Sequence, residues 1–222
     1  YRASRFDIFL DKLDNSRFYK LVPFLRAVRS ACTRDGEGLE LLEAWMFDLK
    51  GRVALVTGHF APSNLVGAHR ARLWSRYLPE FGWEPVVVTG DPAKYEERPD
   101  PDLERLVPAG LEVVHAATLS TRPVRLVGDI GVRAFWGCYR VLSSMAKAGR
   151  LDFVLVTIPS NYFAPLGRLV HMRRGVPFGI DYQDPWVNRW TGVDVPFSRA
   201  WMSYRLAGLL EPWSVRGAAL IT

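Results

Sequence analysis

The sequence predicts an α/β domain built on a doubly wound parallel sheet. Short apolar runs rich in β-branched residues alternate along the chain with longer segments whose apolar residues recur every three or four positions. The first pattern is typical of strands buried on both faces, and the second of amphipathic helices. Five strands separated by helices imply a parallel sheet with helical crossovers. The predicted strands are Val53–Thr57, Pro85–Thr89, Leu111–His115, Asp152–Thr157 and Val176–Asp181, with a sixth beginning near Ala218.

The predicted helices follow these strands and span residues 67–81, 124–148, 163–173 and about 198–217. The apolar face of the second helix is predicted to consist of Val132, Trp136, Tyr139, Leu142 and Ala146. Right-handed crossovers place the strand-to-helix loops along one edge of the sheet, where such folds bind ligands.

Two regions are expected. Residues 51–222 hold the strand and helix alternation, whereas residues 1–50 read as a helical N-terminal extension interrupted at Pro23. The chain begins at Tyr1 rather than Met and ends in an apolar run, so we expect a fragment of a longer protein.

Composition limits the function classes. Of the 222 residues, 49% are hydrophobic and 23% charged, which is globular rather than disordered. The net charge of +6 favours anionic partners. The two cysteines, Cys32 and Cys138, form no CxxC motif, and the four histidines show no zinc spacing, so reduced thiols and no metal are expected. No apolar run could span a bilayer, and we expect a cytoplasmic protein, with peripheral binding at the inner membrane face left open.

The loop after the first strand, residues 58–67 (GHFAPSNLVG), is the most informative segment. Ser63 and Asn64 offer polar contacts. Gly67 lets a ligand approach the helix N-terminus, where His69 and Arg70 add donors. An ordinary solvated loop explains the segment about as well. The loop lacks GxGxxG and any Gly-Lys-Ser/Thr, which argues against a nicotinamide oxidoreductase and a P-loop ATPase.

Two further loops fall on the same predicted edge. After the fifth strand, Asp184 could accept a hydrogen bond from a sugar hydroxyl and Trp186 could stack on a sugar, although a cap at Asp184 and a core position for Trp186 are the slightly favoured interpretation. After the fourth strand, Ser160 and Asn161 are candidate polar contacts or helix caps. Asp184 and His69 are the candidates for a catalytic role.

Basic residues of the long helix recur at intervals of seven. Arg133, Arg140 and Lys147, with Arg125 before the helix, form a stripe that could bind an anionic membrane or a lipid phosphate. A solvated helix face is the favoured interpretation of the same stripe.

Three segments resemble the family-four-like retaining glycosyltransferases. They are residues 53–79, in which GHFAPSN is followed by GAHR; residues 78–85 (LPEFGWEP); and residues 175–186 (GVPFGIDYQDPW). The resemblance covers residues 52–222 and leaves the first fifty unexplained. One departure is Gln183, which stands where the family often has arginine, so no role of that arginine carries over.

The resemblance implies the GT-B architecture, in which two Rossmann-like domains face each other across a cleft. This chain would be the N-terminal half that receives a glycan or lipid-linked acceptor, and Gly67 would approach the donor diphosphate. A second half, with a glutamate-bearing motif that this chain lacks, would bind the nucleotide-sugar. The implied activity is retaining hexosyl transfer in polysaccharide biosynthesis, with no metal and no cofactor beyond the nucleotide-sugar.

A non-catalytic Rossmann-like module that binds a phosphate-bearing ligand or a protein partner remains a second hypothesis. Nucleic-acid binding ranks last, because the basic residues are spread out rather than clustered with a reading motif.

Overall fold

A computed structural model describes residues 51–122, 128–158, 160–183, 186–187 and 195–222 of the chain. The predicted extension, residues 1–50, and the candidate Asp184 lie outside these ranges.

The described residues contain one sheet of six parallel strands in the order β3-β2-β1-β4-β5-β6. The strands are β1 (Gly51–Thr57), β2 (Trp83–Gly90), β3 (Glu112–Ala116), β4 (Phe153–Ile158), β5 (Phe178–Tyr182) and β6 (Leu220–Ile221). β1 pairs with β2 on one side and with β4 on the other. The parallel sheet and the central position of its first strand are therefore confirmed.

The described part of the chain has four α-helices: α1 (Val66–Tyr77), α2 (Ile130–Lys147), α3 (Ala164–Arg174) and α4 (Arg199–Val215). The helix predicted to reach residue 81 ends as α-helix at Tyr77 and continues as a 3-10 turn, Leu78–Phe81. Pro79 lies in that turn and has no N–H with which to continue the α-helical hydrogen bonds. α2 starts later than the predicted residue 124, because the Asp129 side chain caps it by accepting from the Val132 N–H at 3.2 Å.

Both faces of the sheet are buried. One face, formed by residues such as Val53, Leu55 and Val87, packs with Ala71 and Trp74 of α1. The other face packs against α2 and α3, and α4 lies beside α3. Alternate residues along each strand thus enter the two separate cores. Because both sets are buried, the strands appear in the sequence as unbroken apolar runs.

The predicted apolar face of α2 was wrong at Val132 and Trp136, which are both exposed. Arg133 is buried instead. Its guanidinium donates to the backbone carbonyls of Lys94 and Leu119, both at 3.0 Å, and of Gly128 at 3.3 Å. Loop carbonyls that would otherwise lack partners explain why a charged side chain replaces an apolar one here.

A matched pair of glycine substitutions tests how closely the chain crosses α2. A Cβ added at Gly137 would lie 2.1 Å from the Ala117 carbonyl oxygen, whereas one at Gly208 in α4 meets no atom within 4 Å. We expect Gly137→Ala to destabilise the fold by about 1–3 kcal/mol through steric overlap. Gly208→Ala should stabilise it by about 0.5–1 kcal/mol through helix propensity. Urea unfolding of both variants measures the two changes, and equal effects would contradict the close crossing.

Candidate functional site

The site lies where the parallel strands end, at the boundary between β1 and β4. From β1 the chain continues outward through β2 to β3, and from β4 it continues through β5 to β6 in the opposite direction. Where neighbouring connections leave in opposite directions, a crevice opens at the carboxyl edge of the sheet. The first loop meets the β4 loop there. A Cβ added at Gly58 would lie 2.5 Å from Ile130 and 3.6 Å from the Ser160 Cβ. The predicted convergence of the first and fourth loops on one edge is thus present.

A half-buried tyrosine, Tyr95, connects the first loop to the end of β2. The Tyr95 hydroxyl accepts a hydrogen bond from the Phe60 N–H at 3.1 Å, donates to the Gly90 carbonyl at 3.2 Å and lies 3.0 Å from the Thr89 hydroxyl. Burial raises the pKa of Tyr95, so the phenol stays protonated. These bonds hold the backbone next to His59 in place.

His59 and Glu97 form an ionisable pair at the crevice. The imidazole Nε2 lies 3.7 Å from Glu97 Oε2, and the ring packs on Tyr95 with centroids 4.8 Å apart. Ser63 Oγ donates to the other carboxylate oxygen of Glu97 at 2.5 Å. Burial lowers the pKa of His59, the positive charge of Arg133 lowers it further, and Glu97 opposes both. His59 is therefore a neutral base near neutral pH.

The sequence analysis did not single out His59 or Glu97. His59 is inside the informative first loop, but Glu97 belongs to a Pro- and charge-rich loop with no motif. Only the fold of the loop after β2 brings this carboxylate to the histidine.

Ser160 bridges the β4 loop to the N-terminus of α2. Its hydroxyl donates to Asp129 Oδ1 at 2.7 Å and accepts from the Gly131 N–H at 3.0 Å, and the residue is buried. The neighbouring Asn161 is half-buried, and its side-chain oxygen has no hydrogen-bond partner among the described residues. The Ser160 bridge lies close to the first loop, because a Cβ added at Gly58, the residue before His59, would lie 3.6 Å from the Ser160 Cβ.

Arg70 forms a bidentate ion pair with Asp181 of β5. Its Nε and Nη2 donate to the two carboxylate oxygens at 2.6 and 2.5 Å, and this bonding raises the pKa of Arg70. Trp74 Nε1 and the Thr222 hydroxyl also donate to Asp181, whose side chain is fully buried. Arg70 was predicted to contact substrate, but its guanidinium group is largely bound to Asp181. Of the Arg70 side chain, 42% remains exposed.

The remaining candidates occupy different environments. Gly67 is buried in the first turn of α1, His69 is half-buried there, and Asn64 is exposed. Trp186 is buried and contacts Tyr162 edge-on, with ring centroids 5.7 Å apart. Whether any of them binds a substrate stays a prediction.

Among the described residues, no three His, Cys, Asp or Glu side chains group as a metal site would require. In the same part of the chain, no helix combines the length and the hydropathy needed to cross a membrane.

Solved structures share this fold. Sucrose-phosphate synthase of Thermosynechococcus elongatus has a TM-score of 0.50 and 15% sequence identity, over 77% of this chain and 41% of that one. This chain thus spans less than half of that enzyme. The match shows that the two chains share a Rossmann-like fold, which by itself does not fix a function.

Two plant proteins match less closely. UGT2 of Phytolacca americana, solved with UDP-2-fluoroglucose and pterostilbene, has a TM-score of 0.42 and 11% identity, over 59% of this chain and 30% of that one. A UDP-glucosyltransferase of Polygonum tinctorium has a TM-score of 0.41 and 14% identity, over 62% and 30%. No family model and no curated protein matches the sequence.

The ion pair of Arg70 predicts a large loss of stability on substitution. Arg70→Leu would leave the buried Asp181 carboxylate without its main partner, so we expect a loss of about 2–3 kcal/mol in unfolding free energy. Arg105→Leu is the control, because its pair with Asp102 at 3.1 Å is exposed on both sides and should contribute about 0.5 kcal/mol or less. Similar losses in urea unfolding for both variants would contradict this assignment.

His59 predicts a pH dependence of stability. Because burial lowers the pKa of His59 in the folded chain below its ordinary value of about 6.5, the unfolded chain binds the proton more tightly. Stability should therefore fall as pH drops below about 6.5, through the folded pKa. His59→Gln should lose this part of the dependence in unfolding measured between about pH 7.5 and pH 5.5. His115→Gln, at an exposed site on β3, should keep it; a parent-like profile for His59→Gln would refute the assignment.

Proposed function

We propose that this chain is the acceptor-side half of a GT-B glycosyltransferase similar to the family-four-like enzymes. The whole protein would transfer a sugar from a nucleotide-sugar to a glycan or lipid-linked acceptor. The observation that carries the proposal is the meeting of His59, Glu97 and the Ser160 bridge at the boundary of β1 and β4. The fold shared with sucrose-phosphate synthase supports it at the level of architecture.

In the proposed reaction, an acceptor hydroxyl attacks the anomeric carbon of the donor sugar while the bond to the diphosphate oxygen breaks. The hydroxyl must lose its proton as the new bond forms. A neutral imidazole at His59 can accept a hydrogen bond from that hydroxyl and take the proton. Glu97 would then stabilise the resulting imidazolium, and Ser63 holds Glu97 in orientation.

The donor diphosphate would approach the N-terminus of α1. The residue before this helix, Leu65, supplies no side-chain cap, so backbone N–H groups of the first turn can face an anion. Gly67 permits close approach, and the half-exposed Arg70, oriented by Asp181, adds positive charge. These groups would stabilise negative charge as the diphosphate departs. By the resemblance the anomeric configuration is retained, so in this single displacement the acceptor hydroxyl would attack from the same face of the sugar that the diphosphate leaves.

Assays of sugar transfer test the proposal in two forms of the protein. The 222-residue chain alone should be inactive with sugar nucleotides, because donor binding is assigned to the other half. In the protein extended to include that half, His59→Gln and Glu97→Gln should each lower kcat, His59→Gln by about 100-fold. The control His115→Gln alters a histidine away from the crevice and should keep parent activity.

Asp184→Asn, which keeps the shape and removes the charge, should raise the KM for acceptor more than that for donor. All rates are expressed per folded molecule, so that a purely structural role appears as a lower Tm with normal turnover. Turnover by the isolated chain would refute the division of roles. An extended protein that binds sugar nucleotides but transfers no sugar would favour the non-catalytic module.

A further inference from the structure

The helices on one face of the sheet carry a strongly biased charge. Together α2, α3 and α4 contain eight Arg or Lys residues and a single carboxylate, Glu211. By contrast, the stretch from Glu80 to Glu112 holds nine Asp or Glu residues against three Lys or Arg. The described domain is therefore electrically polarised, with one outer surface that is almost purely basic.

The same surface exposes an unusual number of large apolar side chains. On α4, residues at positions i, i+4, i+7 and i+11 form one stripe: Met202, Leu206, Leu209 and Trp213. Leu209 is 74% exposed, and on α2 Trp136 is 62% exposed. Met172 on α3 is also exposed. Trp213 contacts the guanidinium group of Arg168, with 4.9 Å from the Arg168 Cζ to the ring centroid. The sheet lies on the other side of these helices, and the stripe remains exposed.

Basic residues lie among these apolar ones and are available to an outside partner. Arg140, Arg173 and Arg205 are all exposed, and none forms an ion pair with a described carboxylate. Arg133, which the sequence analysis placed in a basic stripe with Arg140, is not part of this surface because it is buried. Arg125 of that stripe lies outside the described residues.

We infer that this basic–apolar face docks on an anionic lipid surface. We define the face by its exposed residues: Val132, Trp136, Arg140, Met172, Arg173, Met202, Arg205, Leu206, Leu209 and Trp213. Guanidinium groups would contact lipid phosphates, while the indole, Leu and Met side chains would enter the boundary of the acyl chains. The inference does not depend on the transfer activity proposed above.

A lipid surface accounts for this combination better than a nucleic acid does. A strand of nucleic acid is bound by basic grooves and by aromatic rings that stack on bases. Aliphatic side chains such as Met202, Leu206 and Leu209 offer neither contact, yet they are the side chains that a membrane interface accepts.

Co-sedimentation of the purified chain with vesicles tests the docking. Phosphatidylcholine vesicles with phosphatidylglycerol should bind it, pure phosphatidylcholine vesicles should bind much less, and added salt should weaken binding. The triple variant Arg140→Gln, Arg173→Gln, Arg205→Gln should lower the partition coefficient at least about tenfold. Each cation near an anionic surface raises the membrane affinity about fivefold. The control triple, Arg76→Gln, Arg98→Gln, Arg105→Gln, makes the same charge change at exposed sites elsewhere.

A second pair of variants separates apolar insertion from charge. Leu209→Gln should lower vesicle binding several-fold without changing net charge, whereas Leu106→Gln, at an exposed leucine of the acidic region, should leave it unchanged. Circular dichroism confirms that each variant is folded. Equal binding to neutral vesicles, or equal losses in the two triple variants, would overturn the inference. Binding to a single-stranded oligonucleotide without binding to anionic vesicles would also overturn it.

Discussion

The pairing of β1 with β2 on one side and β4 on the other is the constraint on which the rest of the domain depends. All six strands are parallel, so every connection that leaves a carboxyl end starts from the same edge. Because the chain proceeds outward from β1 in both directions, the loops after β1 and β4 meet above the centre of the sheet. The loops that carry His59 and Ser160 come together for this reason, and Glu97 reaches His59 from the loop after β2.

Burial then decides what each charged group near this edge can do. Asp181 has no exposure and receives donors from Arg70, Trp74 and Thr222, so its charge is compensated within the protein. Arg133 is compensated by carbonyl oxygens instead of by a carboxylate. His59 has only a distant, partial compensation from Glu97, and its proton affinity falls accordingly. His59, whose charge is the least compensated of the three, is therefore the group suited to exchange a proton.

The two proposals meet in α2. Its N-terminus is bound to Ser160 and Asp129 at the crevice, while Trp136 and Arg140 of the same helix lie on the basic–apolar face. A domain docked on lipid through that face would hold its crevice close to the membrane surface.

The sequence by itself determined the elements that depend on local pattern. Unbroken apolar runs such as Val53–Thr57 specify strands buried on both faces, and β1 was correctly placed at the centre of a parallel sheet. The sequence also predicts the loop after β1 as the site region, since its glycines would allow a close approach of backbone, and this stays a prediction. Helical periodicity, however, grouped Arg133 with Arg140, because spacing along a helix carries no information on which face a crossing loop will cover.

Only the tertiary structure decided the partners of the polar groups. Arg70 and Asp181 lie 111 positions apart, and His59 meets a glutamate of the loop after β2. Neither contact follows from a motif, since each arises when separate crossovers are brought over one sheet edge. The exposure of Trp136 and Leu209 was likewise set by how α2 and α4 lie against the sheet and α3. Local sequence specifies which residues can form a strand or a helix, but burial and charge compensation depend on distant segments that only folding brings together.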